Sequence, residues 1–366
     1  MPASTTGRPA AVLSVLVTAN TRSAQANLAA LDRQMAYSVK RTGAGAAVLQ
    51  RSLVGLRFAA VGFAAATAGS VAAAVKYESA FASVRKTVQG TDKQLNTISD
   101  AILDMSEKIP ESASALAELA GEAGALGVRR KDLVSFTKTA SQLGTTTNMT
   151  SNAAADGLAR LANIMDTKGK RAFHRMGSVL VDLGNKGAST EAEITAMSLR
   201  IAGAGKLVGL TESEVMGLAA SLANLGIRAE MGGSAISRVM KAMQTSIAEG
   251  GAELELWAKT TGMSVAQFKA SFEKDVPATI AAFADGLIKI QESGGSAQSV
   301  LVELGKAAHT SMGEIRVSDT LARIAGNTEQ FSRQQHIANK EWRQNNALTV
   351  EAQKRYETLE SQLQLL

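Results

Sequence analysis

From Tyr77 to Phe331 apolar residues recur three and four positions apart, in short stretches closed by Gly, Pro or a polar loop. That spacing predicts a series of amphipathic helices, each burying one face. Leu95, Ile98, Ile102, Met105 and Ile109 form the first stripe, ended by Pro110. Leu116, Leu119, Ala120 and Ala123 form the next, ended near Gly127, and Leu133, Phe136, Ala140 and Leu143 a third, ended by Gly144. Thr150 caps a helix carrying Leu158, Leu161 and Met165. Phe173, Met176, Val179, Leu180 and Leu183 share a face that Gly184 stops. Thr91 with Gln94, Thr190 with Glu193, Thr211 with Glu214 and Ser264 with Gln267 have capping-box spacing, in which hydroxyl and distal carbonyl each satisfy a free backbone N–H. Pro277 sits where a first helical turn accepts it, ahead of Ile280, Phe283, Leu287 and Ile290. Helices this short are marginal alone, so they must bury their faces on one another. No fixed-length repeat stands out, so no solenoid is expected.

The flanks differ. Val12 to Thr18 is β-branched and partly alternating, which predicts one short strand. A helix from about Ser23 to Lys40 follows, with Ala24, Leu28, Leu31 and Met35 on a heptad seam. Leu53 to Val75 is the most apolar stretch, with Arg57 its only charge. Its length approaches the limit for crossing a bilayer, but its Ala and Gly content favours close helix packing inside an assembly. From His336 the chain is polar and free of Gly and Pro; Tyr356, Leu359, Leu363 and Leu366 begin a heptad seam. The expected fold is therefore mainly α: a strand-plus-helix leader over 1–45, an apolar helix over 46–76, a body of short packed helices over 77–335, and the start of a long coiled-coil-like helix over 336–366. A seam running off the last residue suggests the front part of a longer protein.

Composition narrows the chemistry. There is no cysteine, so disulfides, thiol catalysis and cysteine zinc sites are excluded. The net charge of +6 is spread along the chain, and Arg129-Arg130-Lys131 is its densest run. With aromatics at 4% a base-stacking platform for single strands is not expected, so the run reads as a solvated helix start. His174, His309 and His336 match no metal-binding spacing. Glu212 and Glu214 suit the positive end of a helix, and Glu118 and Glu122 lie one turn apart. Gly232-Gly233 lacks the strand and lysine of a phosphate loop and reads as a turn. Asn148-Met149-Thr150 matches a glycosylation acceptor, but its Thr is better used as a cap. No catalytic, cofactor-binding or metal residue can be nominated, and no enzyme activity is expected.

The order of these segments resembles the core region of phage tail tape measure proteins. Tyr77-Glu78 through Arg85-Lys86 is similar to the opening of that region. Ile109-Pro110-Glu111-Ser112, Leu116 to Gly121, Gly124 to Val128 and Asp132 to Thr137 follow in the family's order. Leu183-Gly184-Asn185, Glu193-Ile194 and Ile201-Ala202-Gly203 come next. Leu225-Gly226-Ile227-Arg228-Ala229-Glu230 before Gly232-Gly233 resembles the most recognisable part, and Gly262-Met263-Ser264 with Phe268 and Glu351-Ala352 also fit. Each piece is weak; the ordered series is specific. The resemblance implies a structural ruler inside the tail tube lumen of the virion, whose length sets tail length and which leaves ahead of the DNA at genome ejection. It implies the tail tube (major tail) protein, tail assembly chaperones in the host cytoplasm, and tail tip or baseplate proteins as partners. It also implies self-association, as a trimer, contact of some members with the host membrane, and no sequence-specific nucleic acid. Members are usually much longer than 366 residues. The rival readings are a membrane-active helical protein working through Leu53–Val75 and a cytoplasmic helical scaffold.

Overall fold

The computed structural model describes residues 67–307, 315–358 and 361. The expected strand over Val12–Thr18, the leader helix, most of the apolar stretch, His309 and the leucines of the final seam lie outside the described residues. Every regular element among the described residues is helical. Among the described residues no helix is long and apolar enough to cross a membrane. The chain divides into two units, Met1–Ser79 and Ala80–Leu366, and the account below concerns the second.

After α1 (Thr67–Thr87) come α2 (Asp92–Ser106), α3 (Ala113–Ala125), α4 (Arg130–Thr146), α5 (Ser151–Met165), α6 (Lys170–Lys186), α7 (Glu191–Leu207) and α8 (Glu212–Asn224). A π turn, Ala229–Gly233, leads into α9 (Ser234–Glu249). All four capping boxes form. In each, the backbone N–H of the cap donates to the amide or carboxylate oxygen of the side chain three residues on, at 3.0 Å for Thr91, 2.9 Å for Thr190, 2.8 Å for Thr211 and 2.9 Å for Ser264. Gly209 and Gly226 turn the chain after α7 and α8 with φ of 84° and 68°, a conformation that costs other residues a Cβ clash.

Some expected ends move. Helix α2 stops at Ser106, and Ile109 is buried from a turn beyond it. The residue before a proline avoids helical angles, so the stop precedes Pro110. Gly144 and Gly184 do not end α4 and α6; they lie in their last turns, where the chain crosses closely. A Cβ on Gly144 would stand 2.6 Å from the Ser151 backbone nitrogen, and one on Gly184 would meet the Glu191 carboxylate.

These helices make two rows. In one, α2 touches α4, α4 touches α6 and α6 touches α8; in the other, α3 touches α5, α5 touches α7 and α7 touches α9. Each helix also packs on its sequence neighbour across the rows, as α4 does on α5 and α7 on α8. That is nearest-neighbour stacking of helical pairs, without a fixed-length repeat: helices that follow one another in a row start 38 to 43 residues apart. Two of the pairs match closely. Helix α4 runs from Arg130 to Thr146 and α6 from Lys170 to Lys186, and the next caps are Thr150 and Thr190. Each feature recurs 40 residues later.

The chain then builds a second cluster around an aromatic core. Its helices are α10 (Gly251–Thr261), α11 (Val265–Lys274), α12 (Val276–Glu292), α13 (Ala297–Ala307) and α14 (Ile315–Ile324). Trp257 of α10 is fully buried against Phe283 and Phe268, with ring centroids 4.3 and 6.4 Å away. Its indole N–H donates to the Ser246 hydroxyl of α9 at 3.0 Å, joining cluster to stack. Pro277 occupies the first turn of α12, with Asp275 as cap.

The expected long helix from His336 is not what forms. The chain makes α15 (Thr328–Gln344), breaks at Asn345, and makes α16 (Ala347–Tyr356). Asn345 has a φ of 56°, a left-handed conformation that asparagine tolerates better than most residues. The two helices fold back over the first row: α15 lies on α8 and α6, and α16 on α6 and α4.

Candidate functional site

Among the described residues, those best able to do chemistry lie apart, and several are engaged in caps and ties. His174 is half-buried on α6; its Nδ1 lies 2.8 Å from Asn345 Oδ1 and its Nε2 3.2 Å from Thr349 Oγ1. It therefore bridges to the α15–α16 joint. His336 is exposed on α15. Glu212, the first residue of α8, accepts from the Thr167 hydroxyl at 2.5 Å, and Glu214 completes its capping box. Glu122 accepts from Asn152 at 3.0 Å, and Glu118 is exposed. Among the described residues no three His, Asp or Glu side chains are grouped so as to hold a metal ion.

The basic run serves packing. Arg129 Nη2 sits 2.7 Å from Asp132, and Arg130 donates to the Gln89 carbonyl at 3.1 Å and to Gln94 Oε1 at 2.6 Å. Gly232 and Gly233 are buried in the π turn instead of making a loop. A Cβ on Gly233 would stand 2.5 Å from Arg200 Cβ, so the turn exists to let α9 approach α7. A cleft of about 390 Å³ opens between α12, α13 and α14, lined by Leu287, Ile288, Gln291, Gln298, Leu301, Ser318 and Leu321. None of its described lining residues is titratable, so none can move a proton.

What the polar groups do build is a set of ties between successive loops. Glu111, ahead of α3, accepts from the Ser141 hydroxyl and, at 3.2 Å, from that of Ser151. Asn163 donates to the Leu126 carbonyl at 3.0 Å. Asn148 accepts from the Ala192 N–H at 3.2 Å, and Thr150 beside it caps α5. Asn224, ending α8, accepts from the N–H groups of Ala188 and Ser189, both at 2.8 Å, and from the Ser189 hydroxyl at 2.7 Å. Each tie joins one helical pair to another, and together they set the register of the stack. The sequence reading missed Glu111, Asn163 and Asn224, because their partners lie tens of residues away.

Two groups feel this burial. Burial pushes the Tyr356 phenol up to about 12; its bond to Gln142 pulls the other way and the Glu111 charge adds to the rise. Burial also lifts the Glu191 carboxyl above its ordinary value, against N–H bonds from its own backbone and from Asn148, with Glu351 raising it further. The native state therefore holds the Glu191 proton more tightly than the unfolded chain does, and stability falls as pH rises through its native value. Glu191→Gln is expected to raise the melting temperature at pH 7 and to match the parent below pH 4. Thermal unfolding at both pH values checks this; a lower melting temperature at pH 7 would contradict it.

A family model described as phage-related minor tail protein matches residues 99–305, from α2 into α13 and more than half of the chain. Comparison with curated proteins and with solved structures gave no match.

Proposed function

Because the chain belongs to the phage-related minor tail protein family, we propose that it is a tape measure protein, or part of one, that sets tail length during assembly. The observation that carries this reading is the place of the match: it covers the stacked helices and most of the second cluster, where the polar residues are spent on caps and ties. Helical material of that kind suits a spacer. The ordered motifs, above all Leu225 to Glu230 ahead of Gly232-Gly233, support the finer assignment by resemblance.

In this reading the protein occupies the tail tube lumen of the virion and leaves ahead of the DNA at ejection. Its partners are the tail tube protein, the tail assembly chaperones that keep it from aggregating in the host cytoplasm, the tail tip or baseplate proteins, and further copies of itself. It acts as material and catalyses nothing.

A ruler converts residues into distance. A helix rises 1.5 Å per residue, so an in-frame deletion of about 60 helical residues should shorten the tail by about 90 Å. Electron microscopy of tails from a deletion series is the test, with a linear decrease expected. Tails of unchanged length would overturn the ruler and leave the family assignment standing.

A further inference from the structure

One edge of the stack is made by the loops that open α4, α6 and α8. Asn163, ahead of α6, donates to the Leu126 carbonyl ahead of α4 at 3.0 Å, and the Thr167 hydroxyl donates to Glu212 of α8 at 2.5 Å. The starts of the three helices therefore lie side by side. Helix α15 crosses close to them. The Arg175 guanidinium of α6 stands 5.7 Å from the centroid of the Trp342 ring, and His174 Nδ1 lies 2.8 Å from Asn345 Oδ1.

Cations gather there. Lys131 on the first turn of α4, Lys170 and Arg171 on the first turn of α6, and Lys340 and Arg343 on α15 are exposed, and Arg175 lies one turn after Arg171. Among the described residues none of these six has an ion-pair partner. The acids of this edge are engaged. Asp132 pairs with Arg129 at 2.7 Å and Asp166 with Lys168 at 2.6 Å, while Glu212 and Glu214 serve the start of α8. Helix stability does not account for the cations. The positive end of the α6 dipole disfavours Lys170 and Arg171, and no acid on that first turn offsets them. On α15, Arg333, His336, Lys340 and Arg343 are exposed and recur three, four and three residues apart, with Glu329 one turn ahead of Arg333. Ten residues of helix set them in a line about 15 Å long.

We propose that this face, α15 together with the starts of α4 and α6, is a sequence-independent seat for the phosphodiester backbone of duplex DNA. Each strand of a duplex carries one phosphate per about 3.4 Å of axis, so the α15 line spans about four of them. Arginine and lysine bind phosphate without reading bases, and positioning contacts of that kind carry no sequence information. The aromatic ring at this face, Trp342, is already covered by Arg175, so stacking on unpaired bases is not what the surface offers. The proposal does not rest on the ruler reading and would stand if tail length proved independent of this chain.

Fluorescence anisotropy of the full chain with a labelled duplex of arbitrary sequence tests it. Raising salt from 50 to 200 mM should weaken binding by about a hundred-fold, the dependence of about four phosphate contacts. In Arg171→Gln combined with Arg343→Gln, both exposed, two contacts are lost, and the same change of salt should weaken binding by only about ten-fold. Lys259→Gln combined with Lys274→Gln removes the same charge from exposed positions on α10 and α11 and should keep the parent's dependence. No binding at 50 mM salt would overturn the seat, as would equal effects of the two double variants. Binding of polyglutamate as tight as that of the duplex would assign the face to an acidic protein and overturn it too.

Discussion

Trp257→Ala is expected to lower the unfolding free energy by about 4 kcal/mol. Three losses coincide at that residue. The indole is fully buried, so its removal leaves a cavity the size of a bicyclic ring. Its contacts with Phe283 and Phe268, at 4.3 and 6.4 Å, disappear, and aromatic pairs contribute beyond their area. The Ser246 hydroxyl, itself buried, loses its donor and keeps its bond to the Ala242 carbonyl. Trp257→Phe should recover part of the loss by refilling the cavity without the N–H. Urea unfolding followed by circular dichroism measures both; a cost below about 1 kcal/mol for the alanine variant would mean the cluster collapses freely around the gap.

Gly286→Ala comes next, at about 3 kcal/mol, although it adds a single methyl group. The added carbon would overlap the Thr260 carbonyl oxygen and stand 2.8 Å from the carbonyl carbon. Those are backbone atoms at the end of α10, so no rotamer change can relieve the clash; the helices themselves must separate. A methyl clash with a flexible side-chain tip costs far less. Gly203, mid-helix in α7 with nothing within 4 Å of an added Cβ, is the control: alanine there should stabilise by about 0.5–1 kcal/mol through helix propensity. The contrast between the two midpoints is the measurement, and equal shifts would refute the close-approach account.

Local chemistry was legible in the sequence, and long-range order was not. The capping boxes at Thr91, Thr190, Thr211 and Ser264 are closed within four residues, so spacing alone identifies them. The apolar stripes of α2, α4, α6 and α12 were visible for the same reason. Gly184 misled because a glycine may end a helix or let another chain segment approach, and only the fold distinguishes the two. The likeness of the α4–α5 and α6–α7 pairs escaped notice because it spans a single 40-residue step that the neighbouring pairs do not continue. Leu133 answers to Phe173, and Phe136 to Met176, in equivalent buried places. The break at Asn345 had a signal, two consecutive asparagines in a polar run, which the heptad reading passed over. The ties of Glu111 and Asn224 had none; their partners are 30 to 40 and 35 to 36 residues away.

Two rows of helices in which each leans on its immediate neighbours have a mechanical meaning. Tension applied along the polypeptide would have to free the α15–α16 hairpin, which spans α4, α6 and α8, before one pair could peel from the next, and no cystine bond adds to that restraint.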